Sequence, residues 1–91
     1  MTPAAREIEI HRRLAETFDP ITCQLVDESA AHAGHAGAAS GAGHYRLFLV
    51  STRFSGLSRV HRHRLVYDCL RDMMLTEIHA LALTAEAPTP A

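Results

Sequence analysis

The sequence predicts an α+β domain with its elements in the order α-β-β-α-β, a three-stranded mixed sheet with the helices packed on one face. Three observations lead there. Apolar residues recur at helical spacing near the start of the chain and again between residues 58 and 74. Three shorter runs alternate at strand spacing. The length, 91 residues, suits one domain.

The first helix spans residues 3 to 18. Thr2 is placed to cap it, and Pro3 suits the first helical position, where its missing N–H has no partner to lose. Ile10, Leu14 and Phe18 form its apolar face, with Arg6, Arg12, Arg13 and Glu16 elsewhere, and Asp19-Pro20 stops it. Residues 21 to 27 form a strand with Ile21, Cys23 and Leu25 on its better-buried side. Residues 29 to 43 carry no large apolar side chain and read as a long flexible loop, unusual enough in a compact domain to suggest use.

A second strand follows at 45 to 51, with Tyr45, Leu47 and Leu49 opposite Arg46, Phe48 and Val50. A turn around Gly56 leads to Ser58, which can cap a helix running to about residue 74, with Val60, His63, Tyr67, Leu70 and Met74 as its core stripe. The last strand, Ile78 to Thr84, sets His79, Leu81 and Leu83 against Ile78, Ala80 and Ala82. Residues 1–85 thus make one domain, and 86–91, with Pro88 and Pro90, read as a disordered tail.

Topology brings distant residues together. If the first strand runs upward, the long loop lies at the top and the second strand runs down. The following helix carries the chain back up, so the third strand starts at the top, parallel to the second. His79 therefore shares one end of the sheet with His32, His35 and His44.

Composition narrows the function. The formal net charge of −1 gives no global attraction to nucleic acid or anionic membrane. Two cysteines, Cys23 and Cys69, lie far apart in apolar segments, which is neither a disulfide framework nor a CxxC site and points to a reducing compartment. Both thiols read as packing. The first residues lack a basic segment followed by an apolar run, and no stretch has the length to span a bilayer, so the expected location is the cytoplasm.

Two constellations could carry chemistry. The first is the histidine cluster: neutral imidazole binds zinc, copper, nickel and iron. It contains no cysteine, so an iron–sulfur site here would need thiolates from elsewhere. Against it, a histidine on an apolar strand face is more often a core residue with a satisfied hydrogen bond. The second is Arg59-Val60-His61-Arg62-His63-Arg64, whose exposed arginines could touch phosphates. No aromatic residues interleave to stack on bases, and a solvated helix face is the plainer reading. There is no HExxH, no nucleophile signature and no phosphate-cradling glycine loop, and Asp27-Glu28 alone make no acid/base pair, so no enzyme is expected.

Leu25-Val26-Asp27-Glu28-Ser29, His32 and His44-Tyr45-Arg46 resemble the BolA pattern of a strand ending in Glu-Ser, a variable loop and a histidine before an aromatic. Val50-Ser51, Arg53-Phe54 and Gly56 are similar to its next block. Arg62-His63-Arg64-Leu65-Val66-Tyr67 resembles its most characteristic helix motif, and Ile78-His79-Ala80-Leu81 with a displaced Thr89-Pro90 resembles its last block. The likeness runs from about Ile10 to Leu83. It implies a fold like the second class of KH domain and association with a monothiol glutaredoxin. In such complexes a 2Fe-2S cluster is held by a glutaredoxin cysteine, glutathione and two BolA ligands. Those ligands correspond here to His79 and His32, with His35 as the alternate loop ligand. The isolated protein is expected to carry no cofactor. Gly56 has no partner glycine for the Gly-x-x-Gly loop of nucleic-acid-binding KH domains. BolA proteins are also described as DNA-binding regulators, which makes DNA the alternative partner, through Arg59, Arg62 and Arg64.

Overall fold

A computed structural model describes residues 1–32 and 41–89. Helix α1 covers Pro3–Phe18, strand β1 Thr22–Asp27, a 3₁₀ turn Ser29–His32, strand β2 Gly43–Val50 and a second 3₁₀ turn Thr52–Phe54. Helices α2, Arg59–Cys69, and α3, Arg71–Thr76, precede strand β3, Ile78–Glu86. The sheet order is β1-β2-β3, with β1 antiparallel and β3 parallel to β2, as the topology required.

Both expected boundaries of α1 hold. The Thr2 hydroxyl accepts the Ala5 amide at 3.1 Å, and Pro3 opens the helix. Asp19 ends it in the left-handed region, φ 43°, its N–H donating to the Ala15 carbonyl. Ile10, Leu14 and Phe18 are buried, and so is Arg6, one step earlier in the same series, where the sequence placed it off the apolar face.

The core is closed by Tyr45, Leu47 and Leu49 from β2, Phe54 from the turn, and Val66, Leu70, Met73, Ile78 and Leu81 behind it. Cys23 and Leu25 pack at its edge from β1, whereas Ile21 lies just before the strand and is exposed. Ser51 is fully buried: its hydroxyl donates to the Phe18 carbonyl at 2.6 Å and accepts the Arg53 amide at 3.1 Å. That bond ties the end of α1 to the end of β2.

Three expectations need correction. The helix expected to run unbroken to residue 74 is interrupted at Leu70 (φ −106°, ψ 13°), and the chain resumes as α3. Its buried stripe is Val66, Leu70 and Met73; Val60 in the first turn of α2 is 62% exposed, and Tyr67 stands at the margin, its hydroxyl donating to the Leu81 carbonyl at 2.9 Å. Strand β3 also continues past Thr84 to Glu86, which pairs with Val50, and Ala87 still packs against the core. Residues 90–91 of the expected tail, and 33–40 of the expected loop with His35, lie outside the described residues.

Helix α1 is stapled to α3 by Arg13, which reaches both carboxylate oxygens of Asp72, the second at 2.9 Å, and Glu9 on its own helix at 2.8 Å. Bonding to Arg12 and Arg13 holds the Glu9 pKa at about 2, and bonding to Arg13 holds that of Asp72 at about 2.

Candidate functional site

The upper end of the sheet is organised by a short chain of hydrogen bonds. The Asp27 carboxylate accepts the Ser29 amide at 2.8 Å, and the Ser29 hydroxyl accepts the His44 amide at 3.1 Å. The Glu28 amide donates to the His44 carbonyl at 2.7 Å. The bonds from Ser29 lower the Asp27 pKa. Asp27 and Ser29 are therefore occupied in closing the turn beside β2. The backbone of His32 lies in this same 3₁₀ turn.

His44, which the sequence left between the loop and the second strand, is the second residue of β2, and it is only 6% exposed. Its parity sets it on the sheet face away from the helices, with Arg46 and Phe48.

His79 owes its position to an irregularity that alternation alone would not reveal. Gly43 pairs with Ile78, but the next residue, His44, pairs with Ala80. His79 is the extra residue of a β-bulge, a rare feature of parallel pairs and a device that re-aims side chains. The bulge resets the alternation, so Ile78 and Leu81 both reach the core while His79 is exposed. The expected grouping of His79 with Leu81 and Leu83 on one face is thereby corrected. The His79 and His44 rings stand 5.0 Å apart, centroid to centroid, tilted by 45°.

The structure thus brings His79, His44 and the backbone of His32 to one end of the sheet. Among the described residues, no three metal-donor side chains converge. An exposed imidazole at a strand end is free in geometry to serve as one donor to a metal.

Sequence reasoning missed Arg6. Its guanidinium, 7% exposed, donates from Nη2 to the Gly41 carbonyl at 3.0 Å, from Nη1 to the Tyr45 hydroxyl at 3.5 Å and from Nε to Glu77 at 3.4 Å. Burial by itself lowers the Arg6 pKa, but Tyr45 and Glu77 outweigh it, and the pKa rises. The available signal was the i, i+4 series Arg6-Ile10-Leu14-Phe18, which places a cation in line with the core face.

The arginine-rich segment lies at the other end of the sheet. An open groove of about 310 Å³ is lined by Arg59, Arg62, His63 and Leu83 to Glu86. Arg59 and Arg64 are exposed, but Arg62 donates to the carbonyls of Leu57 at 3.0 Å and Ala85 at 3.3 Å, fastening α2 to β3. From His79 to Ala85 the strand advances about 20 Å at 3.3 Å per residue. The two constellations therefore act from separate places.

Fold and site define a small α+β domain that presents one imidazole from the start of a strand. Residues 14–90 match the family model described as BolA-like protein. The chain is 39% identical over 89 residues to SufE-like protein 1, chloroplastic/mitochondrial, of Arabidopsis thaliana, covering 92% of this chain and 24% of that protein. It is 40% identical over 74 residues to the DNA-binding transcriptional regulator BolA of Escherichia coli strain K12, covering 81% and 68%. Among solved structures, the BolA domain of SufE1 from Arabidopsis thaliana superposes with a TM-score of 0.81 at 38% identity, covering 92% and 93%. The chain belongs to the BolA-like family. It spans about a quarter of the length of the SufE-like relative. No helix among the described residues is long and apolar enough to cross a membrane.

Proposed function

We propose that this protein is a non-enzymatic partner of a monothiol glutaredoxin, donating histidine ligands to a 2Fe-2S cluster shared with that protein and glutathione. The observation that carries the reading is the exposed His79 imidazole, held out by a bulge at the loop end of the sheet. His79 is the fixed ligand and His32, in the adjacent turn, the second, with His35 as the alternate. Imidazole in place of thiolate raises a cluster's reduction potential. Such a cluster suits delivery to recipient proteins or sensing of iron. The protein acts in the cytoplasm, where thiols stay reduced.

Mixing the protein with a cluster-loaded monothiol glutaredoxin is expected to yield a 1:1 complex with a changed visible circular dichroism spectrum. His79→Ala abolishes the change. A spectrum unaltered by the native protein, with no complex on gel filtration, refutes the reading.

The second reading is a DNA-binding regulator, favoured by the likeness to the Escherichia coli regulator and by the groove beside Arg59. Arg59 and Arg64 would contact phosphates, whereas Arg62 is engaged in holding the fold. DNA affinity should then fall steeply with salt and drop in an Arg59→Ala, Arg64→Ala variant. Salt-independent affinity excludes it.

A further inference from the structure

Arg6 sits where no apolar packing role requires a cation. Desolvating a guanidinium is unfavourable unless its donors are matched, and a methionine would fill the same slot without that penalty. Its three acceptors belong to three parts of the chain: Gly41 just before β2, Tyr45 within β2, and Glu77 just before β3. The Gly43 amide donates to the Glu77 carbonyl at 2.9 Å, the bond that opens the β2–β3 pairing immediately before the bulge. Gly41 lies two residues ahead of one partner in that bond, and the Glu77 side chain springs from the other. Arg6 therefore grips both sides of the junction from which His79 emerges.

We propose that Arg6 is a positioning residue: it braces Gly41, Tyr45 and Glu77 so that the bulge holds the His79 ring outward beside His44. Its value for ligation rests on the reading of His79 as a cluster ligand. A bulge leaves one residue outside the ladder, so neighbouring contacts must fix its direction. Arg6 supplies those contacts from the helix layer, through Gly41, Tyr45 and Glu77.

The test compares Arg6→Met, Arg6→Lys and Glu77→Gln with Arg13→Met, which cuts the α1–α3 staple away from the bulge. NMR of each protein alone reads the His79 and His44 ring resonances, the ring-to-ring nuclear Overhauser effect and exchange of the Gly43 amide. In Arg6→Met the rings should shift, the Overhauser effect should weaken, and Gly43 exchange should quicken by about tenfold or more through local opening. Glu77→Gln should move the same signals less, Arg6→Lys should restore part of them, and Arg13→Met should leave them unchanged.

Variants at Arg6 and Glu77 that only lower the melting temperature, with ring signals and Gly43 exchange as in the native protein, overturn the proposal. Cluster-bearing complexes with glutaredoxin judge the ligand assignment separately. Absence of such a complex with the native protein removes that assignment while the NMR result still decides the brace.

Discussion

Replacing Gly43 by alanine tests the packing behind the site. Gly43 is buried and does not have a positive φ, so alanine meets no backbone strain there and the effect is purely one of space. The added methyl carbon would stand 2.8 Å from both Cζ and Oη of Tyr45 and closer still to Cε2. The ring has little room to yield, being 2% exposed and bonded through its hydroxyl to Arg6. The Gly43 backbone is itself held to Glu77. Overpacking of this kind costs about 1–3 kcal/mol, and the doubly fixed geometry places it in the upper half. Removing a glycine from the unfolded chain returns roughly 0.4–1 kcal/mol. The net loss is about 1–2.5 kcal/mol, which lowers the melting temperature of a domain this size by about 4–20 °C. Thermal and urea denaturation measure it. Tyr45→Leu removes all three offending atoms, so in that background Gly43→Ala should be nearly neutral, whereas Tyr45→Phe keeps Cε2 and Cζ and should rescue little. A Gly43→Ala protein melting with the native one, or a penalty unchanged by Tyr45→Leu, would refute the reasoning.

Three further outcomes are expected. Glu9 and Asp72 have pKa values near 2 in the folded protein against 4.5 and 3.8 without their partners, so the stability they add is present above those ordinary values and is lost as pH falls toward 2; an acid titration of the melting temperature should slope less in Glu9→Gln, Asp72→Asn than in the native protein, and the native slope should flatten in high salt, which screens these exposed pairs. Arg62→Ala strands the half-buried Leu57 and Ala85 carbonyls and should destabilise by about 1–3 kcal/mol, while Arg59→Ala and Arg64→Ala stay within about 0.5 kcal/mol, as urea titrations would show. Burial raises the Cys23 thiol pKa, so its labelling by a disulfide reagent near pH 8 should be slower in the native protein than in urea; equal rates would contradict that burial.

Element order and strand direction were legible in the sequence because they follow from periodicity and from the length of connection each crossover needs. The alternation of Tyr45, Leu47 and Leu49 marked the core face of β2 correctly. The same logic failed in β3, since an extra residue leaves no compositional trace and shifts the parity of what precedes it. In the second helical segment the apolar residues outnumber the core-facing places, so Val60 and Tyr67 completed a plausible stripe one notch from Val66, Leu70 and Met73. The break at Leu70 carries no glycine or proline to announce it. At the site, the strand-end location of His79 could be deduced, but the burial of His44 and the reach of Arg6 depend on partners 35 to 71 positions away.

The bulge also means that the domain carries its imidazole as a surplus. Excising His79 outright would join Ile78 to Ala80, and the ladder from Gly43 onward would then run in uninterrupted step, with Leu81, Leu83 and Ala85 still facing the helices. The bulge therefore separates the imidazole from the ladder, so that residue 79 can be changed without moving the register of Leu81, Leu83 and Ala85 against β2.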